Sequence, residues 1–277
     1  MRTIGPPRGL LRHAPADGAF HHARLAPPDA LADCVQHVWI VRWDLGDGPP
    51  QVRETLPHPN VHLTVEDGEA RVAGVHRGRF TRTLAGRGGV VGIKFVAGAF
   101  RAWLDAPVST LRDRTVSARD VLRGDVDGYV AAVLAAGDDD ARIVEAACAA
   151  LLAMRPPPDP QAAEVAALVA RVEHDRELLR VEQLARIAGT TPRTLQRLFD
   201  DRVGVAPKWV INRYRMHEAL ERLASGAPPD WARLAQELGY FDQAHFIRDF
   251  RALVGRPPAE YAAAGASPGT PRSRRRR

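Results

Sequence analysis

The chain has 277 residues, 45% hydrophobic and 26% charged, proportions that suit a soluble protein of two ordinary domains. No run approaches the roughly 18 consecutive apolar residues of a membrane span. Pro6, Pro7 and Gly9 occupy the place where a signal peptide would carry its apolar core, so a cytoplasmic protein is expected. Two cysteines, Cys34 and Cys148, exclude a disulfide framework and a cysteine-rich zinc site.

The net charge of +6 is unevenly placed: from Arg171 onward twenty Lys/Arg face thirteen Asp/Glu, whereas residues 1–170 carry nineteen against twenty. The positive excess therefore lies in the C-terminal third, where a polyanion would be steered and held. Almost all of it is arginine, the side chain suited to bidentate phosphate and base contacts.

In chain order, residues 31–95 read as short strands between turns. Val38-Trp39-Ile40-Val41 precedes the turn Gly46-Asp47-Gly48-Pro49-Pro50, and Asn60–Val65 alternates before stopping at Glu66-Asp67-Gly68-Glu69. Arg71–Val75 and Gly89–Phe95 complete the set, which would form a barrel or sandwich. Helical patterns follow at Ala99–Leu104, Ala118–Arg123, Val126–Ala136 and Ala141–Met154. Arg155-Pro156-Pro157-Pro158-Asp159-Pro160 reads as a short stiff linker. The expected organisation is thus an N-terminal domain over 1–154, a linker over 155–160, an all-helical domain over 161–264 and a basic disordered tail over 265–277.

The second half contains an internal repeat. Leu184, Ala185 and Gly189 recur fifty positions later as Leu234, Ala235 and Gly239. After one inserted residue the offset is 51, with Arg197, Phe199, Gly204 and Pro207 matched by Arg248, Phe250, Gly255 and Pro258. Each copy has the parts of a helix-turn-helix: a first helix with a small alanine at the crossing, a glycine to end it, and a cap (Thr191 or Asp242) for a second helix. Leu195, Leu198, Phe199, Phe246 and Phe250 would face inward, leaving polar side chains outward. Such outward residues suit base reading in the major groove, Gln toward adenine and Arg toward guanine. The long apolar pattern of Pro207–Ala224 would join the two units and set their recognition helices about 34 Å apart, one DNA turn. Within it Trp209 serves as core or as DNA contact.

The segments Thr194-Leu195-Gln196-Arg197-Leu198-Phe199, Gly204-Val205-Ala206-Pro207 and Gly239-Tyr240-Phe241-Asp242-Gln243-Ala244-His245-Phe246-Ile247-Arg248-Asp249-Phe250 make residues 161–264 resemble the AraC/XylS family of bacterial transcription regulators. The resemblance implies seven helices in two units joined by a long helix. It assigns base reading to Arg193, Gln196 and Arg197 in the first recognition helix and to Gln243, Ala244, His245 and Arg248 in the second. Phosphate contacts fall to Arg186, Lys208, Arg213, Arg251 and Arg256, with the Arg274–Arg277 tail as a nonspecific electrostatic aid.

Leu56-Pro57-His58-Pro59-Asn60-Val61-His62-Leu63, Gly89–Phe95, Phe100, Leu104 and Pro107-Val108-Ser109-Thr110-Leu111 are similar to the sensor or dimerisation domain that precedes this DNA-binding region in many such regulators. That likeness implies a cupin-like barrel. Trp39, Trp43, His58, Asn60, His62, Phe95 and Trp103 are the candidate effector pocket. His58, His62 and His76 could offer imidazole to a metal, but histidines this close also occur without one, and no cofactor or metal is called for. There is no Gly-rich Lys phosphate loop, GxSxG elbow or HExxH motif, and the chain is read as a non-enzyme. The expected fold class is α+β, with double-stranded DNA as partner. The resemblance admits RNA polymerase, an unidentified small-molecule effector, and either a monomer or a homodimer. A constitutive architectural DNA-binding protein and an enzyme fused to a DNA-binding domain are the alternatives.

Overall fold

The structure is a computed structural model that describes residues 2–5, 9, 11, 18–224 and 230–265. The Arg274–Arg277 tail lies outside the described residues. Two compact units divide the chain, Met1–Tyr214 and Arg215–Arg277.

In the first unit the described residues form eight strands ahead of the α-helices: β1 (Ala19–Leu25), β2 (Val35–Asp44), β3 (Gln51–Thr55), β4 (His62–Glu66), β5 (Glu69–Ala73), β6 (Phe80–Leu84), β7 (Arg87–Phe95) and β8 (Thr115–Ser117). Six form one antiparallel sheet in the order β1-β2-β7-β4-β5-β8, and β3 pairs with β6 in a separate two-stranded ribbon.

This arrangement corrects the expected cupin-like barrel. Among the described residues the edge strands β1 and β8 do not pair with each other, and β3 and β6 pair with no strand of the larger sheet, so the hydrogen bonds form no closed ring. The outer edge of β1 is met instead by a single bridge from Thr3 to Leu25, and β8 is only three residues long. A covered edge and a very short one manage exposed sheet edges without closure.

The core lies on one face of the sheet because side chains alternate along each strand. Val38, Ile40, Leu63, Val65, Val72 and Ile93 point into it and are almost fully buried. Helices α1 (Val126–Ala135) and α2 (Asp140–Ala153) contribute Tyr129, Val133, Val144, Ala147 and Leu151 to the same cluster. Cys34 and Cys148 are both free and buried. The expected helices at Ala99–Leu104 and Ala118–Arg123 are 3-10 turns, Ala99–Trp103 and Ala118–Asp120.

The opposite sheet face carries a row of basic side chains. Register places His37 on β2 beside Lys94 on β7, and Lys94 beside His62 on β4. Arg24 on β1 donates to His37 (3.3 Å). His37 and Lys94 are 4% and 7% exposed. Burial, and then the charges of Arg24 and Lys94, hold the His37 pKa down at about 2, while burial lowers Lys94 to about 8.

No regular element occupies 155–159, and α3 (Pro160–His174) starts at the last proline of the expected linker. Arg155 pairs with Asp33 and donates to the Ala30 carbonyl, so the stretch is tied to the sheet domain. The other helices are α4 (Val181–Ile187), α5 (Pro192–Arg202), α6 (Pro207–Ala224), α7 (Trp231–Glu237), α8 (Gln243–Val254) and α9 (Pro258–Gly265).

His37 makes stability depend on pH. The unfolded imidazole binds a proton below about 6.5, whereas the folded one stays neutral to about pH 2. Stability is therefore full above the unfolded pKa and declines as pH falls below it, by up to about 1.4 kcal/mol per pH unit from this group. In thermal melts between about pH 7 and pH 4.5, His37→Gln is expected to show a shallower decline than the parent chain. Equal slopes would mean that the imidazole titrates alike in the folded and the unfolded chain.

Candidate nucleic-acid interface

Each helix-turn-helix is built on the sequence signals that announced it. In the first copy Gly189 ends α4 at φ 60°, Thr191 Oγ1 accepts from the Thr194 amide (3.2 Å), and Pro192 opens α5. In the second, Gly239 ends α7 at φ 79°, and the Asp242 carboxylate accepts from the His245 amide (2.7 Å) ahead of α8. Both glycines lie in the left-handed region that side-chain-bearing residues avoid.

Behind α5, Leu184, Ala185, Leu195 and Phe199 are buried in one cluster with Val165, Leu168 and Val172 of α3. Behind α8, Phe246 and Phe250 are fully buried, with ring centroids 5.7 Å apart. Tyr240 meets Phe246 at 5.4 Å, and Tyr261 of α9 meets Phe250 at 5.7 Å. Burying aromatic faces this way sets the rotation of each helix about its axis.

That rotation leaves the expected readers outside. Arg193, Gln196 and Arg197 on α5 are exposed, at spacings of three and four that share one helix face. On α8, Gln243, Ala244, His245 and Arg248 are exposed as well. His245 lies against the Tyr240 ring and 3.5 Å from the Asp249 carboxylate. Ala244, Ile247, Arg248, Arg251 and Ala252 line a shallow open concavity along α8.

The electrostatics separate these residues from the other arginines. Arg42, Arg77, Arg82, Arg101, Arg112, Arg119, Arg123, Arg155 and Arg202 are each paired with a carboxylate. Arg186, Arg193, Arg197, Lys208, Arg248 and Arg251 are exposed and make no side-chain ion pair or hydrogen bond among the described residues. Arg256 is half-exposed, with its guanidinium over the Tyr261 ring (4.9 Å).

Arg213 requires correction. It was expected at a phosphate, but it is only 2% exposed and donates to the carbonyls of Pro57 (3.1 Å) and Arg77 (2.6 Å). Its guanidinium lies 4.5 Å from the Trp209 ring. Burial lowers its pKa to about 10. Trp209 accordingly belongs to the packing of the first unit.

Residues missed by sequence reasoning lie at the C-terminal end of α5. Asp200 accepts from Arg112 (2.5 Å) and from Ser109 (3.0 Å), and Asp201 pairs with Arg101 (2.9 Å). Arg112 also donates to the Gly204 carbonyl (2.6 Å), and Arg202 pairs with Asp159. No periodicity could have exposed these pairs, because the partners lie 43 to 100 positions apart in the chain.

The expected effector residues do not converge on one cavity. Trp39 lies on Gly92 and donates to His62 (3.1 Å). Phe95 and Trp103 sit in the main core (5.1 Å), and buried Asn60 donates to the Phe95 carbonyl (2.8 Å). Trp43 packs elsewhere, with Leu45 and Leu84, and His58 lies against Tyr214 (5.8 Å). A recess lined by Cys34, Trp103 and Pro156–Pro158 holds about 20 Å³, room for one water. Among the described residues no three metal-ligating side chains come together, and no helix is long and apolar enough to cross a membrane.

Two separate stretches of the chain match known families. Residues 23–117 match a family described as a domain of unknown function, and residues 184–264 match the family described as a helix-turn-helix domain. Among solved structures, a transcriptional regulator with an AraC-type DNA-binding domain from Chromobacterium violaceum is 25% identical. It covers 37% of this chain and 91% of its own, with a TM-score of 0.33. The C-terminal domain of AraT, a response regulator from Geobacillus stearothermophilus, is 21% identical over 39% of this chain and 93% of its own, with a TM-score of 0.33. ToxT from Vibrio cholerae is 11% identical over 90% and 99%, with a TM-score of 0.41. No protein of curated function matches the chain.

Because Arg213 is buried against backbone carbonyls, Arg213→Leu is expected to destabilise the first unit by about 2–4 kcal/mol. Under conditions where the variant stays folded, the salt dependence of DNA binding should be unchanged. A slope smaller by about one counterion would restore Arg213 to the phosphate set.

Proposed function

We infer that this chain is a sequence-specific, double-stranded-DNA-binding transcription regulator of the AraC type. The observation that carries the reading is the set of exposed, unpaired arginines and glutamines on α5 and α8, in a protein whose other arginines largely find carboxylates. An unpaired surface guanidinium keeps its donors available for a guanine edge or a phosphate. Arg193, Gln196 and Arg197, with Gln243, Ala244, His245 and Arg248, read bases. Arg186, Lys208, Arg251 and Arg256 hold phosphates and position the protein. Residues 161–264 form the DNA-binding domain, residues 155–160 its connection, and residues 1–154 the regulatory or dimerisation domain.

Regulation acts through the grip on α5. Asp200 and Asp201 are held by Ser109, Arg112 and Arg101 of the N-terminal domain, so any change in the 3-10 turns at Ala99–Trp103 and Val108–Leu111 reaches the end of the first recognition helix. A second reading, a constitutive regulator without an effector, is favoured by one observation: the seven expected pocket residues are spread over separate packing clusters.

Titration of a duplex selected from random DNA, beside a scrambled one, tests the reading. Arg197→Ala and Gln196→Ala are expected to lose about 1–3 kcal/mol on the selected duplex and little on the scrambled one. Lys208→Ala should weaken both alike and lower the salt slope by about one. Equal losses on both duplexes for Arg197→Ala would remove its base-reading role.

A further inference from the structure

The two helix-turn-helix copies differ by one residue, and the structure locates it. In the first, Thr190 follows Gly189 and donates its amide to the Ala185 carbonyl (2.9 Å); the cap, Thr191, comes next. In the second, Tyr240 follows Gly239 and donates to the Ala235 carbonyl (3.0 Å), but Phe241 intervenes before the cap, Asp242. Thr190 and Tyr240 are therefore equivalent, and Phe241 is the insertion.

The two aromatic side chains of this turn have opposite fates. Tyr240 turns inward, against Phe246 (5.4 Å) and His245 (5.2 Å). Phe241 is 95% exposed; the next most exposed large apolar side chain among the described residues is Leu134 at 56%. An apolar ring held in water opposes the hydrophobic effect and has no role in packing α7 on α8. It sits one residue before the cap of α8, at the helix end that approaches base edges in this class of motif. Exposed Gln243 and Ala244 follow that cap directly.

We propose that Phe241 reads the 5-methyl group of a thymine in the major groove, beside the bases approached by Gln243 and Arg248. This rests on the DNA-binding reading above. A phenyl ring has no donor or acceptor, so it cannot hydrogen-bond to a base edge; among the four bases only thymine presents an apolar group to the major groove. Ala244, three residues further on, adds a second methyl to the same end of the helix. The second recognition helix then combines apolar reading at its start with Gln and Arg reading along its length, whereas the first copy, with no insertion, lacks the apolar element.

The test uses the full chain and the selected duplex, with each thymine replaced in turn by deoxyuridine, which removes only the methyl. The parent chain is expected to bind about fourfold more weakly at one position, the change that corresponds to burying one methyl group. Phe241→Ala should bind the thymine duplex several-fold more weakly and lose its sensitivity to deoxyuridine there, while Phe241→Leu retains part of it. The melting temperature of Phe241→Ala should equal that of the parent, since the ring packs on nothing.

Three results overturn the proposal. One is an undiminished deoxyuridine penalty in Phe241→Ala. Another is an equal loss for Phe241→Ala on selected and scrambled duplexes. The third is a change in DNA-free sedimentation, which would assign the ring to a contact between copies. If the parent chain itself fails to distinguish selected from scrambled DNA, the base-reading function falls too; if that discrimination stands, only the role of Phe241 falls.

Discussion

The arrangement depends on aromatic rings buried behind the recognition helices. Phe199 behind α5, and Phe246 with Phe250 behind α8, have no exposed surface, so each helix can present only one face to water. The residues three and four positions from one another on the remaining face are then displayed together without any contact that selects them individually. A polar helix face alone would be an ordinary solvated surface. What gives it chemical meaning here is that its guanidiniums have been left without carboxylates while guanidiniums elsewhere in the chain have acquired them.

Asp200 and Asp201 belong to the same helix as Arg193 and Arg197, yet they lie at its other end and serve a different purpose. Their charges meet Arg112 and Arg101, half-exposed pairs whose individual contribution to stability is modest. Their value is geometric: together with Ser109 and the Gly204 carbonyl they join the end of α5 to the 3-10 turns that follow the sheet. Arg213 acts similarly, bridging α6 to the Pro57 and Arg77 carbonyls. A buried cation without a carboxylate is tolerable because carbonyl oxygens and the Trp209 face surround it.

The open sheet reflects the same separation of faces. One face is filled by aliphatic side chains against α1 and α2, and the other carries His37, Lys94 and His62 in register. Apolar runs and alternation made β2, β4, β5 and β7 legible in the sequence, but not β1, β3, β6 and β8. Gln51–Thr55 and Phe80–Leu84 mix Arg, Thr and Glu with single apolar residues, because each is one half of a two-stranded ribbon. Closure or openness depends on pairing between strands far apart in sequence, for which local periodicity holds no signal.

The sequence by itself determined the helix-turn-helix repeat, its capping residues and turn glycines, and which side chains of α5 and α8 face outward. Those features follow from backbone preferences and from a helical period spanning a few residues. Only the tertiary structure decided that Arg213 is buried, that the sheet stays open, and that the inserted Phe241 stands in water while Tyr240 does not. Each of those outcomes depends on which distant groups a side chain meets once the chain is folded, and a partner up to 156 positions away leaves no mark on its neighbours in sequence.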